Sequence, residues 1–277
     1  MATNADQPRD AAPRLVVAVL GAGVMGGAVL TAILDAHHAG PGDVRVSTLD
    51  PEAADRWRAR GVLVTGNAEA VDGADVVVVA TKPADVAGVL DEAGPRLKPG
   101  AVVISLAAGV RLALLEGHLP AGTAVVRVMP NTPAVIGEGM SALSPGASCS
   151  PEQLELAQQL LGACGQVVTV PESAQNAVTA VSGSGPAYLF YLLEAMIDAG
   201  VLLGLSRPVA TELAVQTAYG AASMVRRNGT HPGLLREQVT SPGGTTAAAL
   251  RTLDAKAVKA AMMEAIEAAA RRSAELA

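Results

Sequence analysis

A chain of 277 residues, 50% of them hydrophobic, is long enough for two domains at roughly 150 residues each and apolar enough for a real core. Its net charge of −6 and lack of a dense Lys/Arg cluster exclude a nucleic-acid footprint, and 2% aromatic residues exclude a base-stacking platform. Two cysteines, Cys149 and Cys164, supply neither a disulfide framework nor a paired metal-ligand spacing, so a reducing cytoplasm and a site without metal are expected.

Residues 1–12 read as a disordered tail, and the apolar run that follows, Leu15–Leu20, is too short for a signal peptide or a membrane span. From there solid Val/Ile/Leu runs alternate with helical stretches. Strands are expected at Leu15–Leu20, Val44–Thr48, Val62–Val64, Val76–Ala80, Val102–Leu106 and Val125–Met129, with helices at Val24–His38, Pro51–Arg60, Pro83–Ala93 and Leu112–Leu119. Strands apolar throughout are covered on both faces, the pattern of a parallel sheet sandwiched between helices. A last unit, helix Pro151–Leu161 and strand Gln166–Val170, closes this half, so residues 13–171 are expected to form a Rossmann-type doubly wound α/β domain.

Gly21-Ala22-Gly23-Val24-Met25-Gly26 follows the first strand and opens the first helix. Gly21 permits the tight turn, Gly23 the approach of a pyrophosphate, and Gly26 close helix–strand packing, with the phosphates facing the helix N-terminus; a tight turn without a ligand is the plainer alternative. At the end of the second strand the cofactor signal is mixed. Ser47 and Thr48 occupy the strand end, Asp50 stands as a helix cap or a ribose acid, and Arg56, Arg58 and Arg60 follow on the helix, which leans towards the phosphorylated nicotinamide cofactor. Ala80-Thr81-Lys82-Pro83 and Ser105–Gly109 close the fourth and fifth strands on the edge where such sheets bind ligands, so Lys82 is a cofactor contact or a solvated surface lysine. Two prolines in Arg127–Ala134 bracket Asn131 and hold it towards a nicotinamide or simply turn the chain.

Beyond residue 171 the β-rich runs end and helices are expected at Ser173–Val181, Pro186–Leu203, Arg207–Arg227, Pro232–Gln238, Thr246–Thr252 and Ala255–Leu276, making residues 172–277 an all-helical domain. The apolar stretch Ala187–Leu205 is interrupted by Glu194 and Asp198 and reads as a helix buried on most sides, in a domain core or a subunit interface, rather than in a membrane. Ser182–Gly185 is an interhelix loop or a site-lining break. In Val239–Thr246 a Pro-Gly turn, two glycines and two hydroxyls precede an Ala-rich helix. That segment is a capped helix start or a seat for a small anion such as a carboxylate. His37, His38, His118 and His231 show no nucleophile partner or metal spacing.

Five segments together resemble the pyrroline-5-carboxylate reductase family: Gly21–Gly26, Ala80–Pro83, Arg127–Ala134, Ala180–Tyr188 and Val239–Thr246. The resemblance runs from about residue 14 to the end of the chain. It implies a helical domain that forms a homodimer, a higher assembly of dimers, and a site between cofactor and helical domains completed across the dimer. Cofactor contacts are then implied at Gly21, Gly23, Val24, Met25, Gly26, Ser47, Thr48, Asn67, Ala80, Lys82, Ala108, Gly109, Asn131 and Gln238. Substrate contacts are implied at Glu172, Ser241, Gly243, Gly244, Thr245 and Thr246, with Thr246 the catalytic residue. Thr81 stands where the family more usually has valine, and Gly229 where some relatives carry an acid.

The implied reaction is hydride transfer from NADPH, with NADH possible, to the cyclic imine 1-pyrroline-5-carboxylate, giving L-proline. Two other readings stay open: a β-hydroxyacid dehydrogenase, disfavoured because Pro186–Leu203 contains no lysine to act as base, and a non-catalytic dinucleotide-binding regulatory protein.

Overall fold

The computed structural model describes residues 14–276, so the expected tail at residues 1–12 lies outside the described residues. Two compact units emerge, one built from the chain up to Gly183 together with Arg272 onwards, the other from Ser184–Arg271.

The first unit carries β1 (Val17–Leu20), α1 (Val24–Asp35), β2 (Val44–Ser47), α2 (Pro51–Ala59), β3 (Leu63–Val64), α3 (Asn67–Ala70), β4 (Val76–Val79), α4 (Val86–Ala93), β5 (Val102–Ser105), α5 (Leu112–Gly117), β6 (Ala124–Met129), β7 (Gly139–Pro145), α6 (Pro151–Gly162), β8 (Gly165–Thr169) and α7 (Gln175–Val178). The strands form one sheet in the order β3-β2-β1-β4-β5-β6-β7-β8. Strands β1 to β6 are parallel, and the sequence order reverses at β1, which opens the crevice that doubly wound sheets use for ligands.

Why the sheet is sandwiched is visible along β1. Val17 and Val19 join one buried cluster with Leu30, Ile33, Ile104 and Leu160, while Ala18 and Leu20 join another with Leu90, Val103 and Leu115. Alternate side chains leave opposite faces of a strand, so a strand apolar at every position needs a helix layer on each side. Each such large side chain contributes about 1.5–3 kcal/mol by leaving water. Helix α6 starts in a capping box: Ser150 Oγ accepts from the Gln153 amide at 3.3 Å and Gln153 Oε1 accepts from the Ser150 amide at 2.9 Å.

The sheet is larger and less uniform than expected. Strand β7 pairs antiparallel with β6 and parallel with β8, so the last two strands run against the first six. Gly139-Met-Ser-Ala-Leu-Ser-Pro contains no β-branched residue and was not expected as a strand; tertiary pairing on both sides overrides its weak propensity. Burial pushes the Cys164 thiol up to about 11 and raises that of Cys149, so both stay protonated thiols at neutral pH.

The second unit contains α8 (Gly185–Leu202), α9 (Arg207–Asn228), α10 (Pro232–Gln238), α11 (Thr245–Ala255) and α12 (Val258–Leu276), whose last turn belongs to the first unit. Helices α8 and α9 lie closely together: a Cβ on Gly200 would stand 2.9 Å from Ala210 Cβ. Gly229 ends α9 at φ +61°, a left-handed C-cap that glycine adopts without strain, which accounts for glycine at that loop position. The expectation that α8 is buried on most sides does not hold within this chain. None of its residues is buried, with Phe190 64% and Tyr191 73% exposed, so α8 is not a domain core within this chain. By length and composition the run Glu172–Leu202 would also suffice to cross a membrane.

Candidate active site

The parallel pairing lines up the carboxyl ends of four strands. Leu20 sits beside both Ser47 and Val79, and Val79 beside Ser105. Leu20 O accepts from the Ala80 amide at 2.8 Å, Ser47 O from Gly21 at 2.8 Å, and Val79 O from Leu106 at 2.8 Å. Gly21, Ser47, Ala80 and the Ala108-Gly109 turn, φ +78° at Gly109, are thereby brought to one edge of the sheet.

Each glycine of the first loop has a separate physical task. Gly21 takes φ +95°, and a Cβ there would meet the Ala80 carbonyl and Thr81 amide at 2.8 Å. At Gly26 a Cβ would strike the Gly21 carbonyl oxygen and come within 2.9 Å of Ala80 Cβ, so α1 can lie this close to β1 and β4 only with glycine there. A Cβ on Gly23 would meet nothing within 4 Å: it would project into open space over the helix start. Gly23 is also the N-cap of α1 and has no side chain to satisfy the helix's first N–H groups, which are left for an anion. This cradle fits the pyrophosphate of a dinucleotide.

A cavity of about 430 Å³ opens beside the loop, lined by Gly23, Val24, Asp50, Arg56, Trp57 and Val135 among others. Trp57 and Val135 were not foreseen. Trp57 lies on the buried face of α2, where an i, i+3, i+4 count from Ala53 and Ala54 puts it, but that count does not say which element the face meets. Asp50 caps α2, its Oδ1 accepting from the Glu52 amide at 3.0 Å, and Thr48 Oγ1 accepts from the Asp50 amide at 3.2 Å. Asn67 opens α3 and donates through Nδ2 to Glu92 Oε2 at 2.7 Å. Lys82 is exposed just past β4.

Two other expected site residues have polar atoms engaged within this unit. Asn131 Oδ1 accepts from the Met140 amide at 2.8 Å, while Nδ2 donates to the carbonyl and Oγ of Ser182 at 3.3 Å. The side chain thus pins the Met129–Asn131 loop to β7 and to the π-helical turn Thr179–Gly183. Glu172 Oε1 accepts from the buried Arg127 guanidinium at 2.9 Å and from the Leu112 amide at 2.7 Å, which fastens the segment after β8 to β6 and α5. Gln175 completes this belt, donating to Ser144 Oγ at 2.8 Å and to the Ala142 carbonyl at 3.2 Å.

In the helical unit the segment Val239–Thr246 forms a helix start with no side-chain cap. Gly243 sits at φ +71°, Gly244 is the N-cap of α11, and a Cβ on Gly244 would strike Ser241 Oγ. The Gly244 amide donates to Ser241 O at 3.0 Å, and the first helical bond runs from Ala248 to Gly244 O at 3.1 Å. The amides of Thr245 to Ala247 precede that bond and are available to an anion. Thr246 is half-buried, Thr245 exposed, and Gln238 exposed at the end of α10. His231 is structural: its Nδ1 accepts from the Gly233 amide at 3.1 Å and caps α10. Among the described residues no group of three or more His, Cys, Asp or Glu is placed to hold a metal.

Two family models match this chain. One described as pyrroline-5-carboxylate reductase dimerisation covers residues 172–276, and one described as NADP oxidoreductase, coenzyme F420-dependent, covers residues 16–109. The pyrroline-5-carboxylate reductase of Mycobacterium tuberculosis (strain H37Rv) is 45% identical over 94% of this chain and 96% of its own. That of Pseudomonas aeruginosa is likewise 45% identical, with the same coverage. Among solved structures, a pyrroline-5-carboxylate reductase from Coxiella burnetii superposes with a TM-score of 0.89 at 34% identity, covering 94% of this chain and 98% of that one. The Plasmodium falciparum pyrroline carboxylate reductase with NADP bound superposes with a TM-score of 0.84 at 29% identity, covering 95% and 98%.

Proposed function

The chain belongs to the pyrroline-5-carboxylate reductase family, and on that premise we propose that it reduces the cyclic imine 1-pyrroline-5-carboxylate to L-proline with NADPH. It is an oxidoreductase acting on a carbon–nitrogen bond, with the nicotinamide cofactor carried by its Rossmann unit. The observation that supports this most is the uncapped start of α11, where two glycines and two threonines meet unpaired helix amides.

The substrate carries one carboxylate and one imine nitrogen, and the segment answers both. We assign the carboxylate to the amides of Thr245, Thr246 and Ala247, with Ser241, Gly243 and Gly244 shaping the turn beside them; the Gly244 amide is itself taken by Ser241 O at 3.0 Å and so is not a donor to the ligand. The left-handed turn at Gly243 and the helix N-terminus orient donors towards negative charge. Thr246 orients the ring nitrogen. A hydroxyl is a poor acid at neutral pH, so the imine reacts as its iminium, with the proton drawn from solvent. When bound, reduced nicotinamide supplies the hydride to the imine carbon. Gly21, Gly23 and Gly26 with the first amides of α1 hold its pyrophosphate, and Ser47, Thr48, Ala80, Ala108 and Gly109 face it from the strand ends.

The exposed apolar face of α8 gives a partner subunit a surface to cover, and we propose an interlocked homodimer, associating further into an assembly of dimers, in the cytoplasm. For Glu172 and Asn131 the hydrogen bonds described above support a role in holding the site's frame.

The test is direct: NADPH and NADH oxidation followed optically with pyrroline-5-carboxylate and with its six-membered homologue. Turnover with the five-membered imine, faster with NADPH, is expected. No cofactor consumption with either imine would overturn the proposal.

A further inference from the structure

Three arginines follow the second strand, and they do not have the same freedom. Arg58 is paired with Asp55 at 2.9 Å. Arg60 is paired with Asp35 at 2.8 Å and lies over the Trp57 ring, 5.5 Å from its centroid. Among the described residues Arg56 has only Glu52 at 4.0 Å, beyond hydrogen-bond reach, and of the three it alone lines the cavity beside the glycine loop.

The same cavity is bounded by Gly23 and by Asp50, whose carboxylate is turned to the α2 cap. About twenty residues past a glycine loop, at the end of the second strand, is where a doubly wound sheet meets the adenosine ribose. Here Ser47 and Thr48 occupy that strand end and offer hydroxyls, and Asp50 spends one oxygen on the Glu52 amide. A ribose bearing a 2′-phosphate therefore finds two hydroxyls and one guanidinium without a strong partner of its own.

We propose that Arg56 is the specificity-determining residue for the phosphorylated cofactor, its guanidinium engaging the adenosine 2′-phosphate from α2. This rests on the NADPH reading given above and names the residue that enforces it. The side chain is 65% exposed, so the contact is screened by salt and the preference it sets is moderate. Asp50, at the same cavity, places a negative charge on its rim and limits that preference further, which leaves NADH usable.

Binding of NADP⁺, NAD⁺ and adenosine 2′,5′-bisphosphate to the full-length protein, measured by calorimetry at several salt concentrations, tests it. Arg56→Ala is expected to weaken NADP⁺ and the bisphosphate by about tenfold to a hundredfold, the range for a hydrogen bond to a charged group, and to leave NAD⁺ within twofold. Arg58→Ala, which removes a residue already paired, is expected to leave all three within twofold. The steeper salt dependence of NADP⁺ over NAD⁺ in the wild type should disappear in Arg56→Ala.

Should the alanine variant not fold, Arg56→Gln keeps the stem and removes the charge, and the same shifts are expected. Unchanged NADP⁺ affinity in a folded Arg56 variant, or an equal loss in Arg58→Ala, would overturn the assignment. None of these measurements uses the imine. A wild type that fails to reduce pyrroline-5-carboxylate yet discriminates the nucleotides through Arg56 would overturn the activity alone.

Discussion

The guanidinium of Arg127, almost wholly buried within β6, donates to Glu172 Oε1 at 2.9 Å, and the Leu112 amide donates to the same oxygen at 2.7 Å. Three parts of the chain far apart in sequence converge on one atom.

Removing the carboxylate leaves a buried charge without its partner, a change that costs about 3–5 kcal/mol when both members are fully enclosed. Glu172 is one-third exposed, so about 2–3 kcal/mol is the expected loss for Glu172→Ala, read from denaturant unfolding. Glu172→Gln keeps an oxygen acceptor and is expected to recover part of it. If Glu172 instead acts mainly on the substrate, KM rises with stability unchanged, and the fastening role is wrong.

A second prediction concerns acid. Burial pushes the carboxyl of Asp75 up, but the Lys98 ammonium and the Val16 amide, which donates to Oδ2 at 2.8 Å, outweigh it and hold the group below the ordinary carboxylate value. A carboxylate with a lowered folded pKa contributes stability above its unfolded pKa, about 3.9, and loses it as pH falls through the folded value. Asp75→Asn should therefore be less stable than the wild type at pH 7, with the gap closing below about pH 4. A gap independent of pH would mean that the charge of Asp75 contributes nothing.

Thr81 offers the opposite sign. Its hydroxyl oxygen is buried without a hydrogen-bond partner among the described residues. An unsatisfied buried hydroxyl costs about 1–3 kcal/mol, and valine has nearly the same shape. Thr81→Val is expected to raise stability by about 1 kcal/mol, a few degrees in Tm, with KM for NADPH unchanged. Loss of cofactor affinity in that variant would show that the hydroxyl serves the ligand.

How much of this was legible depended on which physical rule governed each element. The solid valine runs of β1, β4 and β5 announced a sheet covered on both faces, because no other setting buries every position of a strand. The glycines at 21, 23 and 26 were readable for the same kind of reason: two of the three cannot carry a Cβ in this packing. Strand β7 was hidden because its stability comes from β6 and β8 rather than from its own residues. The side chains of Asn131 and Glu172 lay beyond reach of the sequence, since their partners are 51 and 60 residues away and no local pattern encodes them. Arg56 stood in plain view beside two other arginines, and only their partners in space separate the three.

Thr246 carries the last prediction. It lies in the first turn of α11, half-buried, one residue past exposed Thr245, on a helix start that has no side-chain cap. If its hydroxyl orients the ring nitrogen while the backbone amides hold the carboxylate, then Thr246→Ala removes orientation and spares the anion seat. A loss of about tenfold to a thousandfold in kcat/KM is expected, roughly 1.4–4 kcal/mol of transition-state stabilisation, carried mainly by kcat. Thr246→Ser keeps the hydroxyl and should recover most of it. Gly243→Ala acts on the other half of the site: at φ +71° an alanine is strained by about 1–2 kcal/mol, and the turn that aims the amides relaxes, so KM for the imine should rise more than kcat falls. Steady-state kinetics of the three variants separate the roles. Wild-type kinetics in Thr246→Ala would remove the hydroxyl from the mechanism, and a KM effect confined to that variant would move it from the ring nitrogen to the carboxylate.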